Sequence, residues 1–112
     1  MSLRLSLRPR FALPLAVALV TVASFSPALA ADTTVTITNF AFGPEVTTVS
    51  PGTKVVFKNE DDTIHSVVAD DGSWHSDGLD TGDTYTQTFA KAGTYGYHCG
   101  LHPFMKGQIV VK

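Results

Sequence analysis

Tyr97-His98-Cys99-Gly100-Leu101-His102-Pro103-Phe104-Met105-Lys106-Gly107 is the most informative run in the chain. A thiol, an imidazole and a thioether stand at i, i+3 and i+6, at Cys99, His102 and Met105. Upstream, Gly93 to Cys99 alternates so that Tyr95, Tyr97 and Cys99 share one face of a strand while His98 points to the other. Downstream, Gln108 to Lys112 reads as a further β run. The donors therefore lie in a tight loop between two strands. A loop with this spacing folds around a point and brings Cys99, His102 and Met105 to one centre, with Pro103 fixing its own φ and removing a backbone donor beside it.

The rest of the chain from Thr33 onward has the same character. Short segments rich in Val, Ile, Thr, Phe and Tyr are expected as strands near residues 34–40, 45–49, 54–59, 64–69, 84–89, 93–99 and 108–112. Gly43-Pro44, Pro51-Gly52, Glu60-Asp61-Asp62, Asp70-Asp71-Gly72, Thr81-Gly82-Asp83 and Ala92-Gly93 supply turn chemistry between them. No segment carries helical periodicity over ten or more residues. About seven strands at roughly ten-residue spacing predict an all-β protein, an antiparallel sandwich or barrel.

The N-terminal region is a different kind of polypeptide. Of the 112 residues, 44% are hydrophobic, and 19 of those fall within the first 30 positions. Arg4, Arg8 and Arg10 precede an apolar run from Phe11 to about Val22, and Ala28-Leu29-Ala30 followed by Ala31 has the small-residue pattern that a signal peptidase cuts after. Residues 1–30 are thus expected to be a cleaved export signal and residues 31–112 the single functional domain. The uncharged run Phe11 to Ala30 is also about the length of a membrane span, but Pro14, Ser24, Ser26 and Pro27 together with the cleavage pattern favour removal. No Cys stands near the junction to carry a lipid.

Once the signal is set aside, five Lys and no Arg face ten acids, a net charge of −5. That balance excludes nucleic acid as a partner, since phosphates require Lys and Arg to replace their counterions. A domain this small is near the size at which a disulfide or metal is needed to support the core. One Cys forms no internal disulfide, so a metal is the feature to look for.

A fourth donor must come from outside the loop, and His65, which begins a β run 34 residues before Cys99, is the natural candidate. Two imidazoles and a thiolate with a weak axial thioether describe a blue-copper electron-transfer site. Zinc gains little from the thioether, and an iron–sulfur cluster requires more thiolates. A Cys-dependent hydrolase lacks an acid or amide placed to orient the His. His98 and His75 read as surface or hydrogen-bonded residues. Asp77, Asp80 and Asp83 lack the full calcium-loop pattern. Glu60, Asp61, Asp62, Asp70 and Asp71 read as solubilising acids that also steer a positively charged partner.

With this loop, residues 31–112 resemble a small cupredoxin, most similar to the amicyanin and pseudoazurin group. The short His102-to-Met105 interval and Pro103-Phe104-Met105-Lys106-Gly107 are amicyanin-like. The resemblance implies a Greek-key sandwich of about seven to eight strands and one copper ion held by His65, Cys99, His102 and Met105. It also implies a monomeric electron carrier in the periplasm, not an enzyme, with no membrane attachment after cleavage. The partners implied are a c-type cytochrome or a periplasmic dehydrogenase docking near Leu101, His102, Pro103 and Phe104. One departure stands out: Ser66 follows the first ligand, where many family members have an Asn that ties the two ligand loops, so here a hydroxyl would have to make the tie. Multicopper chemistry needs His on both sides of the Cys, and Gly100 follows Cys99. The competing reading is a copper-delivery module. Such carriers often use several thioethers, and beyond the signal the chain has Met105 alone.

Overall fold

The structure is a computed structural model that describes residues 32–112; the expected signal at residues 1–30 lies outside them. Eight strands follow one another: β1 (Thr33–Thr38), β2 (Ala41–Gly43), β3 (Val46–Val49), β4 (Thr53–Asn59), β5 (Val68–Ala69), β6 (Thr84–Phe89), β7 (Gly93–His98) and β8 (Lys106–Val111). They form two four-stranded sheets, ordered β2-β1-β4-β6 and β3-β8-β7-β5, that pack as a sandwich. Period-two burial builds the interface. Val35 and Ile37 on β1, Val55 and Phe57 on β4, Tyr97 on β7, and Ile109 and Val111 on β8 are all buried.

The expectation of an all-β sandwich holds, with one correction: the sheets are mixed, not purely antiparallel. β1 runs parallel to β4, and β3 runs parallel to β8. Between β1 and β4 the chain turns through β2 and crosses to the other sheet as β3 before it returns. That excursion supplies the long crossover that parallel neighbours require, without a helix.

Two further differences matter for the site. The first predicted strand is broken after Thr38, and Asn39-Phe40 form a two-residue hairpin turn into β2 in which both have positive φ. The predicted strand over residues 64–69 survives only as Val68–Ala69. Upstream of it the backbone leaves the sheet ladder and pairs with residues 76–79 instead: His65 and Leu79 exchange both N–H···O bonds, at 3.1 and 2.7 Å, and the Ser76 N–H donates to Val67 O. This turns His65 and Ser66 toward the end of the sandwich where β7 stops.

β7 and β8 are antiparallel, and their last two pairs, Tyr97↔Gly107 and His98↔Lys106, clamp the base of the loop that carries Cys99, His102 and Met105. Gly107 is required there by space. A Cβ at this position would run into the ring of Tyr97, which lies across it. Forcing atoms into so close a contact typically costs about 1–3 kcal/mol. Gly107→Ala is therefore expected to lower stability by about that amount, measured as a reduced urea midpoint with unchanged slope; an unshifted midpoint would show that Tyr97 moves aside freely.

Candidate metal centre

The ligand loop closes on itself through its own backbone. The Cys99 N–H donates to Met105 O at 3.0 Å, and the Met105 N–H donates to His102 O at 2.9 Å. These two bonds fold the i, i+3, i+6 spacing around a point. Cys99 and Met105 are buried against the core, while His102 is half-buried at the surface.

Three donor atoms converge. His65 Nδ1 lies 3.8 Å from Cys99 Sγ, His102 Nδ1 lies 3.7 Å from the same sulfur, and the two Nδ1 atoms are 3.2 Å apart. A triangle with these sides has its centre about 2.1 Å from each corner, within the range of metal–imidazole and metal–thiolate bonds. Among the described residues this is the one cluster of three or more His, Cys, Asp or Glu side chains whose donor atoms converge in this way.

The electrostatics suit a cation. Burial pushes the Cys99 thiol up and is the largest single influence on it, but the Ser66 N–H, the His65 imidazole, the Leu101 N–H and the His102 imidazole together outweigh it. They bring the thiol from 9.0 down to about 6. At neutral pH the site therefore holds a thiolate, the form that binds metal.

Ser66 does two jobs. Its N–H donates to Cys99 Sγ at 3.4 Å, and its Oγ accepts the Gly100 N–H at 2.9 Å. The hydroxyl thus ties the two ligand loops together, as the sequence requires of Ser66. Gly100 must lack a side chain for this to happen, since a Cβ there would sit 2.8 Å from Ser66 Oγ.

His65 is held from behind. Its Nε2 lies 2.9 Å from Asp61 Oδ2, the geometry of a carboxylate that orients a metal-ligating imidazole. The same oxygen accepts the Phe40 N–H at 3.1 Å. Asp61 is consequently not the free surface acid its sequence context implies. The His65 bond, followed by the Phe40 N–H, holds its carboxyl below the ordinary range. Buried Asn59 shapes this loop by donating to Thr63 O at 2.9 Å and Leu79 O at 2.8 Å while accepting the Asp61 N–H at 2.9 Å.

His98 points away from the centre, as alternation predicts, with Nδ1 2.7 Å from Asp70 Oδ1. His75 is exposed and outside the cluster. Nothing in the sequence marks Phe40 as part of the site, and Asp61 is marked only by its spacing four residues before His65.

The family model of the cupredoxin-like domain matches residues 12–111. The chain belongs to the cupredoxin-like family. His65, Cys99 and His102 are positioned as its copper site. Amicyanin of Paracoccus denitrificans is 61% identical over 28 residues, covering 25% of this chain and 21% of that protein. Amicyanin-alpha of Methylorubrum extorquens is 31% identical over 88 residues, 74% of each chain. The matched stretches thus span from about a fifth to about three quarters of these relatives. Among solved structures, a variant of amicyanin in its reduced Cu(I) form superposes with a TM-score of 0.68 at 31% identity, covering 73% of this chain and 83% of that one.

The lowered thiol makes the metal-free protein sensitive to pH. A thiol near 9.0 when unfolded and about 6 when folded contributes stability that is fully present above pH 9 and lost as pH falls through 6. Stability of the metal-free protein should therefore rise from pH 6 to 9, with a slope of at most about 1.4 kcal/mol per pH unit from this one proton. Urea titrations across that range check it. Cys99→Ser should flatten the curve, and equal slopes in the two proteins would contradict the assignment.

Proposed function

We propose that this protein is exported with residues 1–30 removed and carries single electrons between partner proteins in the periplasm, through one copper ion held by His65, Cys99, His102 and Met105. The observation that carries this reading is the triangle of one thiolate and two imidazole donors, whose edges of 3.2–3.8 Å leave room for a single metal ion. Copper in such a set supplies one-electron chemistry by alternating between Cu(I) and Cu(II).

The protein's own groups do the rest. Cys99 contributes a thiolate already ionised at neutral pH, and the Ser66 N–H holds its sulfur in place. His65 is fully buried and oriented by Asp61, so it anchors the site from the inside. Met105, buried in the same loop, would supply a thioether as the fourth donor. Such a set has no position reserved for a substrate, which favours electron transfer over catalysis.

His102 is the exit. It is half-buried and lies among Leu101, 52% exposed, Phe104, 71% exposed, and exposed Pro103. A small apolar patch around a ligand edge suits a brief, weak encounter in which the partner approaches the imidazole closely and then leaves. A c-type cytochrome or a periplasmic dehydrogenase fits that role.

Copper(II) added to the purified protein should produce an intense blue thiolate-to-copper absorption and reversible one-electron voltammetry. Met105→Leu should retain the colour and raise the reduction potential, because losing a donor disfavours the more highly charged ion. A colourless protein that gives copper up quickly to a chelator would support metal delivery and overturn the reading. Separately, Leu101→Lys and Phe104→Glu should slow electron exchange with a partner while leaving the spectrum unchanged; unaltered exchange would remove the docking patch from the proposal.

A further inference from the structure

Phe40 occupies a backbone conformation that disfavours it. In the hairpin between β1 and β2, Thr38 pairs with Ala41, so Asn39 and Phe40 alone make the turn, with φ of 50° and 55°. Two-residue turns with positive φ at both positions strongly favour Asn or Asp followed by Gly. Asn39 tolerates that region, but a bulky aromatic residue there is an outlier. Burial does not explain it either, because Phe40 is 41% exposed and lies outside the core.

Its surroundings do. The Phe40 ring stands edge-on to both imidazoles of the donor triangle, with centroids 5.3 Å from His65 at 86° and 5.1 Å from His102 at 88°. The two imidazoles are themselves 5.0 Å apart. The three rings form one packed group, in the range where edge-to-face contacts are favourable. The Phe40 N–H is fastened to Asp61 Oδ2, the oxygen that also holds His65 Nε2.

The two imidazoles differ in how they are held. His65 is enclosed and clipped by Asp61. His102 is half-buried, and its hydrogen-bond-range contacts among the described residues are to the other two donors of the triangle. The remaining restraint on its ring is aromatic packing: Phe40 at 5.1 Å on one side and the largely exposed Phe104 at 6.1 Å on another.

We infer that Phe40 is a positioning residue whose ring braces His102 against His65, so that the donor triangle is assembled before any metal enters. The hairpin tip keeps an unfavourable φ because from there the Phe40 side chain reaches both imidazoles, and Asp61 ties that tip to the first ligand. Strain held in place by surrounding contacts is characteristic of functional sites. The consequence for metal retention rests on the copper reading above; the bracing itself does not.

The test compares wild type with Phe40→Gly, which accepts positive φ freely but has no ring, and Phe40→Tyr, which keeps the ring. In the metal-free protein, the His102 imidazole NMR signals of Phe40→Gly should broaden or split, while its thermal midpoint stays at or above wild type. With copper(I) loaded, Phe40→Gly should release the ion to a chelator about tenfold faster, the worth of one strong aromatic contact, and Phe40→Tyr should match wild type in all three measurements. His102 signals in Phe40→Gly as sharp as wild type would overturn the inference. So would a markedly lowered thermal midpoint, which would make Phe40 an ordinary packing residue. If wild type failed to bind copper, the functional proposal would fall, yet the His102 signals would still decide this one.

Discussion

Three electron-rich donor atoms held within 3.8 Å of one another are the constraint around which this end of the molecule is organised. Burying two imidazoles and a thiolate away from water is unfavourable unless each is held by partners. The arrangement persists because each donor is fixed from behind by groups that have their own structural reasons to be there. β7 and β8 pin Cys99 at the base of its loop, the Leu79 exchange pins His65, and the backbone bond from Met105 to His102 O closes the loop on the third.

The same organisation separates the roles of the two imidazoles. His65 has no exposure and a carboxylate behind it, while His102 lies under a thin apolar rim. Rigidity is thereby placed on the inside and access on the outside. For an electron carrier this division suits both needs, since the site must change little on gaining or losing charge while a partner must come close to one ligand edge.

The fold class and most of the donor set were legible in the chain. Alternation in Gly93 to Cys99 identifies the strand that presents Cys99 inward and His98 outward, and the structure has both orientations. The Cys99, His102 and Met105 spacing is informative because all three lie in one short loop, where sequence distance constrains spatial distance. His65 was reachable only by elimination, and the parallel pairing of β1 with β4 and β3 with β8 was not reachable from alternation, which reports faces and not neighbours. Asp61 reads as a solvated acid because only its spacing of four residues before His65 sets it apart from Glu60 and Asp62. Its contact with His65 depends on how Asn59 folds the intervening loop.

From residue types and local spacing alone come a β-rich domain, a soft donor set suited to copper, and a loop able to gather most of it. Those properties are short-range, set by side-chain chemistry and a few backbone dihedrals. The closing of the triangle by His65, the recruitment of Asp61 and Phe40, and the fit of Gly100 against Ser66 belong to the packed structure. Apart from the contact of Asp61 with His65, four residues away, they join segments 21 to 62 residues apart, whose separations are decided by how two sheets stack and where their connecting loops meet.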